Sequence, residues 1–179
     1  TAAPVQLTKH ATPLGTWNVS DDGKTVFFMA PDSVDKDDRE RREKKFTVTV
    51  RNQPMPPNSL WSIDIATKRE KRLTNDATFS VAGFSLSDDG KWAGVRGIRN
   101  DRYARNITEE SISGDLWLVN LASGAVERLT SNTEIGEGNL SFAPDGKTMA
   151  FSAANDFKYF RDSRVFVRAI EDKGGTWRE

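Results

Sequence analysis

Along most of the chain apolar and polar residues alternate in short runs, and the runs come in pairs joined by nearly the same letters. "TWNVSDDGKTVFF" (Thr16–Phe28), "FSLSDDGKW" (Phe84–Trp92) and "LSFAPDGKTMAFSA" (Leu140–Ala153) each set an Asp-Gly between two such runs. A period of two marks a half-buried strand, and Asp-Gly between strands marks a tight hairpin, because glycine supplies the positive φ of the turn. Gly23, Gly90 and Gly146 are therefore assigned as turn glycines. A second paired element follows. "LWSIDIATKREKRLT" from Leu60 and "LWLVNLASGAVERLT" from Leu116 align without a gap, sharing Leu-Trp at the start and Arg-Leu-Thr at the end. Their middles, "ATKR" and "ASGA", read as turns. In a third copy "RVFVRAI" replaces the Leu-Trp strand and "DKGG" the turn.

The pattern predicts a repeated unit of four strands, a to d, with tight a–b and c–d turns. The units run over residues 15–74, 82–130 and 138–179, the last incomplete, and "VQLT" ahead of them reads as the last strand of a preceding unit at residues 1–8. Four-stranded repeats of this size are β-propeller blades, which bury their faces only against neighbouring blades. The expected fold is all-β, a β-propeller fragment of about three four-stranded blades, since complete rings hold about four to eight.

The extra length falls in the b–c connections, which leave one rim of a propeller. The first holds "DKDDRERREKK" (Asp35–Lys45), read as a solvated helical turn or loop, followed by "FTVTVRNQPMPPNSLW", in which Phe46, Val48 and Val50 alternate as a strand. The second, "IRNDRYARNITEESISG" (Ile98–Gly114), carries Arg99, Arg102, Arg105, Glu109 and Glu110. Arginine forks grip carboxylates and paired glutamates hold an ammonium group, so these five are the candidate contacts for a peptide terminus.

Composition narrows the chemistry. Lys plus Arg and Asp plus Glu balance at 26 each, leaving no basic field for nucleic acid or anionic membrane. No apolar run is long enough to span a membrane. There is no cysteine, and His10 is the single histidine, so a catalytic triad or metal centre would have to be built around one residue. "GFSLS" at Gly83–Ser87 approaches a nucleophile elbow but leads into a hairpin instead of a helix. No catalytic residue, cofactor or metal is expected within this stretch. Trp61, Trp117, Phe27, Phe84, Phe142 and Phe151 are expected in the blade cores.

With "WNVSDDGKTVFF", "FSLSDDGKW", "LSFAPDGKTMAFSA", the two Leu-Trp strands and the "VTVRNQPMPPNSLW" approach in view, the chain resembles the N-terminal propeller of the prolyl oligopeptidase family of serine peptidases, in its bacterial dipeptidyl and acylaminoacyl peptidase branch. The Ser-x-Asp-Gly-Lys and Arg-Leu-Thr elements are also similar to those of the Tol-system periplasmic propeller. The first resemblance implies a non-catalytic lid that admits short peptides to an α/β-hydrolase domain elsewhere in the same chain. Glu109 and Glu110 are similar to the paired glutamates of dipeptidyl peptidases. The second implies a module that binds protein partners. Either fits a bacterial protein that is cytoplasmic, periplasmic or secreted.

Overall fold

The computed structural model describes residues 3–33, 36–46, 56–74, 79–99, 114–131, 136–154 and 162–179. Strands β1 (Trp17–Val19), β2 (Thr25–Pro31), β3 (Asn58–Asp64) and β4 (Glu70–Arg72) form one antiparallel sheet in that order. A second sheet repeats the order with β5 (Phe79–Leu86), β6 (Trp92–Arg99), β7 (Gly114–Asn120) and β8 (Val126–Arg128). The third holds β9 (Ser141–Phe142), β10 (Thr148–Ala154) and β11 (Ser163–Ala169), and a single bridge from Val167 to Arg178 lies where a fourth strand would start. These are the blades of a partial β-propeller.

The repeated letters build repeated bonds. Ser20 N donates to Thr25 O and Gly23 N to Ser20 O, both at 2.8 Å, and Ser87 with Trp92 and Gly90 repeats the pattern. Ser20 Oγ donates to Asp22 Oδ1 at 2.7 Å while Asp22 Oδ1 accepts Lys24 N, so hydroxyl and carboxylate satisfy turn groups the ladder leaves unpaired. Ser87 and Asp89 repeat this too; in the third turn Asp145 accepts Lys147 N, and Ala143 supplies no hydroxyl. Gly23, Gly90 and Gly146 hold φ of 67°, 67° and 66°, in the left-handed region that side chains disfavour. At the other end of each repeat, the threonine of Arg-Leu-Thr closes the sheet: Thr74 Oγ1 accepts Leu60 N at 2.9 Å and Thr130 Oγ1 accepts Leu116 N at 2.8 Å.

Alternation sends odd residues of β2 to one face and even ones to the other. Phe27, Met29, Leu60 and Leu73 of the first blade close on Phe79, Val81, Ala93, Val95, Trp117 and Val119 of the second. Leu116 and Leu118 on the opposite face of the second close on Leu140, Met149, Phe151 and Ala153 of the third. Phe84 and Phe142 pack at the edges of these two cores, while Trp61 lies on the first blade's outer face.

The second sheet and the leading segment bear on the unit boundaries read from the sequence. The second sheet starts at Phe79 because a bulge between Val81 and Gly83 lets the strand continue past a register shift. The segment around Leu7 joins no sheet among the described residues. A fourth strand pairs with the third strand of its own blade, as β4 does with β3, and the expected preceding unit has no third strand among the described residues for this segment to pair with. Leu7 nevertheless packs on Phe28, Ala30 and Ile63, as Leu73 packs into the next seam.

Candidate functional site

The short turns gather at one end of the sheets. Ile65 N, Leu121 N and Ile170 N each donate to the lysine carbonyl of their blade's Asp-Gly-Lys turn, Lys24, Lys91 and Lys147, at 2.9 Å. A Cβ on Gly146 would stand 2.7 Å from Asp89 Oδ2, so neighbouring blades touch through these turns. The b–c connections leave from the opposite end, after Pro31, Arg99 and Ala154.

That rim carries helix α1 (Lys36–Glu43), with Lys36–Glu40 and Arg39–Glu43 pairs one turn apart at 3.9 and 4.0 Å. The helix stops where Lys45 enters the left-handed region, φ 58°, with Phe46 N on Arg41 O and Lys45 N on Arg42 O closing the last turn. The charged run is thus a solvated two-turn helix, consistent with near-cancelling charge. Of the five candidate peptide contacts, Arg99 ends β6 opposite Phe79, and its side chain is outside the description; Arg102, Arg105, Glu109 and Glu110 lie outside the described residues. The alternation at Val48 and Val50 lies outside them as well.

His10 is buried against the first blade. Its Nδ1 lies 2.8 Å from Glu70 Oε2, and its ring meets Phe28 and Trp61 edge-on at 5.2 and 4.7 Å. Thr8 Oγ1 also donates to Glu70. The hydroxyl bonds the carboxylate and not the imidazole, so the trio lacks the order of nucleophile, base and orienter. Burial opposes ionisation of Glu70, but the bonds from His10 and Thr8 outweigh it and hold the carboxyl below its ordinary range. Trio and packing together pin the leading segment to the sheet. "GFSLS" lies along β5 into its hairpin, and no group of three metal-ligating side chains occurs among the described residues.

The strongest electrostatic feature was not singled out from the sequence. Glu137, 2% exposed, lies between the second and third blades. Arg96 Nε donates to its carbonyl at 3.0 Å, and its own N–H donates to Gly114 O at 3.4 Å. Desolvation pushes the Glu137 carboxyl up to about 7; the nearby Asp115 charge adds to this, while Thr130 and Arg96 oppose it. Asp115 is itself buried and pairs with Arg128, whose guanidinium lies 5.6 Å from the Trp117 ring. Further along the seam Arg168, 4% exposed, reaches Glu127 at 3.2 Å and stacks over Trp177 at 4.9 Å.

No helix among the described residues is long and apolar enough to cross a membrane. Blades packed face to face, with connections lengthened on one rim, define the class: an all-β propeller fragment. No protein-family profile and no curated protein sequence matches the chain. Solved structures do. It is similar to an oligogalacturonate lyase in complex with manganese (17% identity, TM-score 0.63, 97% of this chain and 42% of the lyase chain). It is similar to TolB from Acinetobacter baumannii (14% identity, TM-score 0.58, 93% of this chain and 32% of TolB). It is also similar to a prolyl endopeptidase (17% identity, TM-score 0.58, 96% of this chain and 22% of the endopeptidase). Both resemblances met in the sequence are thus present among the structural neighbours, and identities this low establish the fold. The chain spans less than half the length of each.

Proposed function

We propose that the chain is the non-catalytic propeller portion of a serine peptidase of the prolyl oligopeptidase family, a lid and size filter over an α/β-hydrolase domain of the same protein. The observation that carries this reading is the asymmetry of the rims: every a–b and c–d turn is minimal, and the two longest connections, after β2 and after β6, are both of the b–c type. Long loops grouped on one face of a rigid scaffold suit a surface that meets a second domain or a peptide. Arg99, Arg102, Arg105, Glu109 and Glu110 belong to one of those connections and are the residues proposed to meet peptide termini. The likeness to a prolyl endopeptidase supports the same reading. Acyl transfer would take place on a serine outside these residues, with folded proteins excluded by size.

The likeness to TolB favours a second reading, a module whose elaborated rim binds protein partners. The two part on one experiment. The natural protein is assayed on a short fluorogenic peptide and on a folded protein, with and without the propeller. The peptidase reading expects cleavage of the short peptide only, and loss of that restriction once the propeller is removed. Absence of any serine-dependent hydrolysis would favour the partner-binding module.

A further inference from the structure

The two seams between blades are built from equivalent positions, and one of them has exchanged apolar residues for charged ones. Glu137 precedes Gly146 by the same interval as Val81 precedes Gly90; Arg96 follows Gly90 as Met29 follows Gly23; Asp115 precedes Leu116 as Ser59 precedes Leu60. Val81 and Met29 belong to the apolar core between the first and second blades. At the second seam the same two places hold a buried carboxylate and an arginine, and Asp115 lies beside them.

We propose that the seam between the second and third blades is a proton-operated joint: Glu137 holds a proton while the blades are closed, and its ionisation loosens their contact. The described groups around Glu137 come from each element packed there. Arg96 comes from β6, Asp115 from β7 and Thr130 from the residue pair after β8, while Gly138 N donates to Ser152 O of β10 at 2.7 Å. Arg128 is engaged with Asp115, and Arg96 is the cation whose charge opposes the proton on Glu137. An ionised Glu137 adds a second negative charge beside Asp115 in a site shielded from water, whereas a protonated one adds a hydrogen-bond donor at no charge cost. The elevated proton affinity of Glu137 agrees with that geometry. The first seam, with Val81 and Met29 in these places, has no comparable dependence.

The test is hydrogen exchange read by mass spectrometry on the 179-residue chain at pH 5.5 and pH 8, corrected for intrinsic exchange rates. Peptides covering Thr148–Ala154 report the second seam, and peptides covering Thr25–Pro31 the first. The expected result is a rise of about thirtyfold in the opening constant of the second seam at pH 8, with the first seam changed far less. Glu137→Gln, nearly the same shape without the charge, should abolish the rise. Equal changes at both seams, or an undiminished rise in the variant, would overturn the proposal. If the variant does not fold, the two-seam comparison in the unaltered chain decides alone.

Discussion

At the residue scale the turn glycines and the buried carboxylate make opposite demands on the backbone and on charge. Gly23→Val and Gly90→Val each place a branched side chain at positive φ with open space around it, so each should cost about 1–3 kcal/mol from backbone strain alone. Gly146→Val meets the same strain and also Asp89, so urea unfolding should rank it as the most damaging of the three. Equal losses at all three would mean that the contact between neighbouring turns is absent. Glu137 sets the pH dependence. Its proton affinity is higher folded than unfolded, so its contribution is full below about pH 4.5 and declines as pH rises to about 7, by about 3 kcal/mol in all. Asp89 and Glu70 work the other way. Burial opposes their ionisation, but bonds from Ser87 and Lys91 to the first, and from His10 and Thr8 to the second, outweigh it. What these two contribute is lost only as pH falls below their ordinary range. Thermal midpoints should therefore fall between pH 5 and pH 8, with a flat profile in Glu137→Gln. Glycine positions were legible in the letters because Asp-Gly has one structural use between two strands. Glu137 was not singled out, because "NTEIGEGNL" reads as a polar connection. Only its register against Val81, counted back from the turn glycine, shows an acid in a core position.

At the scale of the elements, strand pairing follows from period two, and the seams follow from which parity faces which neighbour. Arg168 ties β11 to β8 across the second seam, 3.2 Å from Glu127 with its guanidinium over Trp177. Arg168→Ala leaves Glu127 half-buried without that partner and strips the cover from Trp177, which should cost about 3 kcal/mol. Arg168→Ala paired with Glu127→Ala in a double-mutant cycle should recover part of that loss; purely additive losses would show that the pair is not coupled. The leading segment shows what alternation alone does not give. "VQLT" has the letters of a fourth strand, and Leu7 takes a fourth-strand leucine's place in the packing, while the ladder partner such a strand needs is not among the described residues. Here the segment is held by Glu70 and by the faces of Phe28 and Trp61.

At the scale of the whole molecule, the same register identifies what the two outer faces are shaped for. Trp17 and Val19 occupy the places of Phe84 and Leu86 in the second blade and of Leu140 and Phe142 in the third, yet Trp17 is 63% exposed where Leu140 is 1% exposed. Val165, 59% exposed, stands where Leu60 and Leu116 are fully buried. These are seam positions with no blade against them in this structure, which agrees with a ring larger than the described blades. In the 179-residue chain Trp17→Lys should change stability by less than about 0.5 kcal/mol. In a natural protein that continues the ring it should cost about 2–4 kcal/mol, because a charge would be buried in a seam. A small effect in both would argue against a neighbouring blade. The fold was legible at this scale because the repeat is written almost letter for letter. The rim residues proposed to meet a peptide were legible only as candidates, since charge in a long loop does not by itself specify what that charge meets.

The proposed role is tested most directly by labelling the natural full-length protein with a serine-directed fluorophosphonate and mapping the adduct by mass spectrometry. The account predicts a single labelled serine outside the 179 residues, none within them, and loss of short-peptide cleavage on labelling. A natural protein that completes its ring and takes up no label would contradict it.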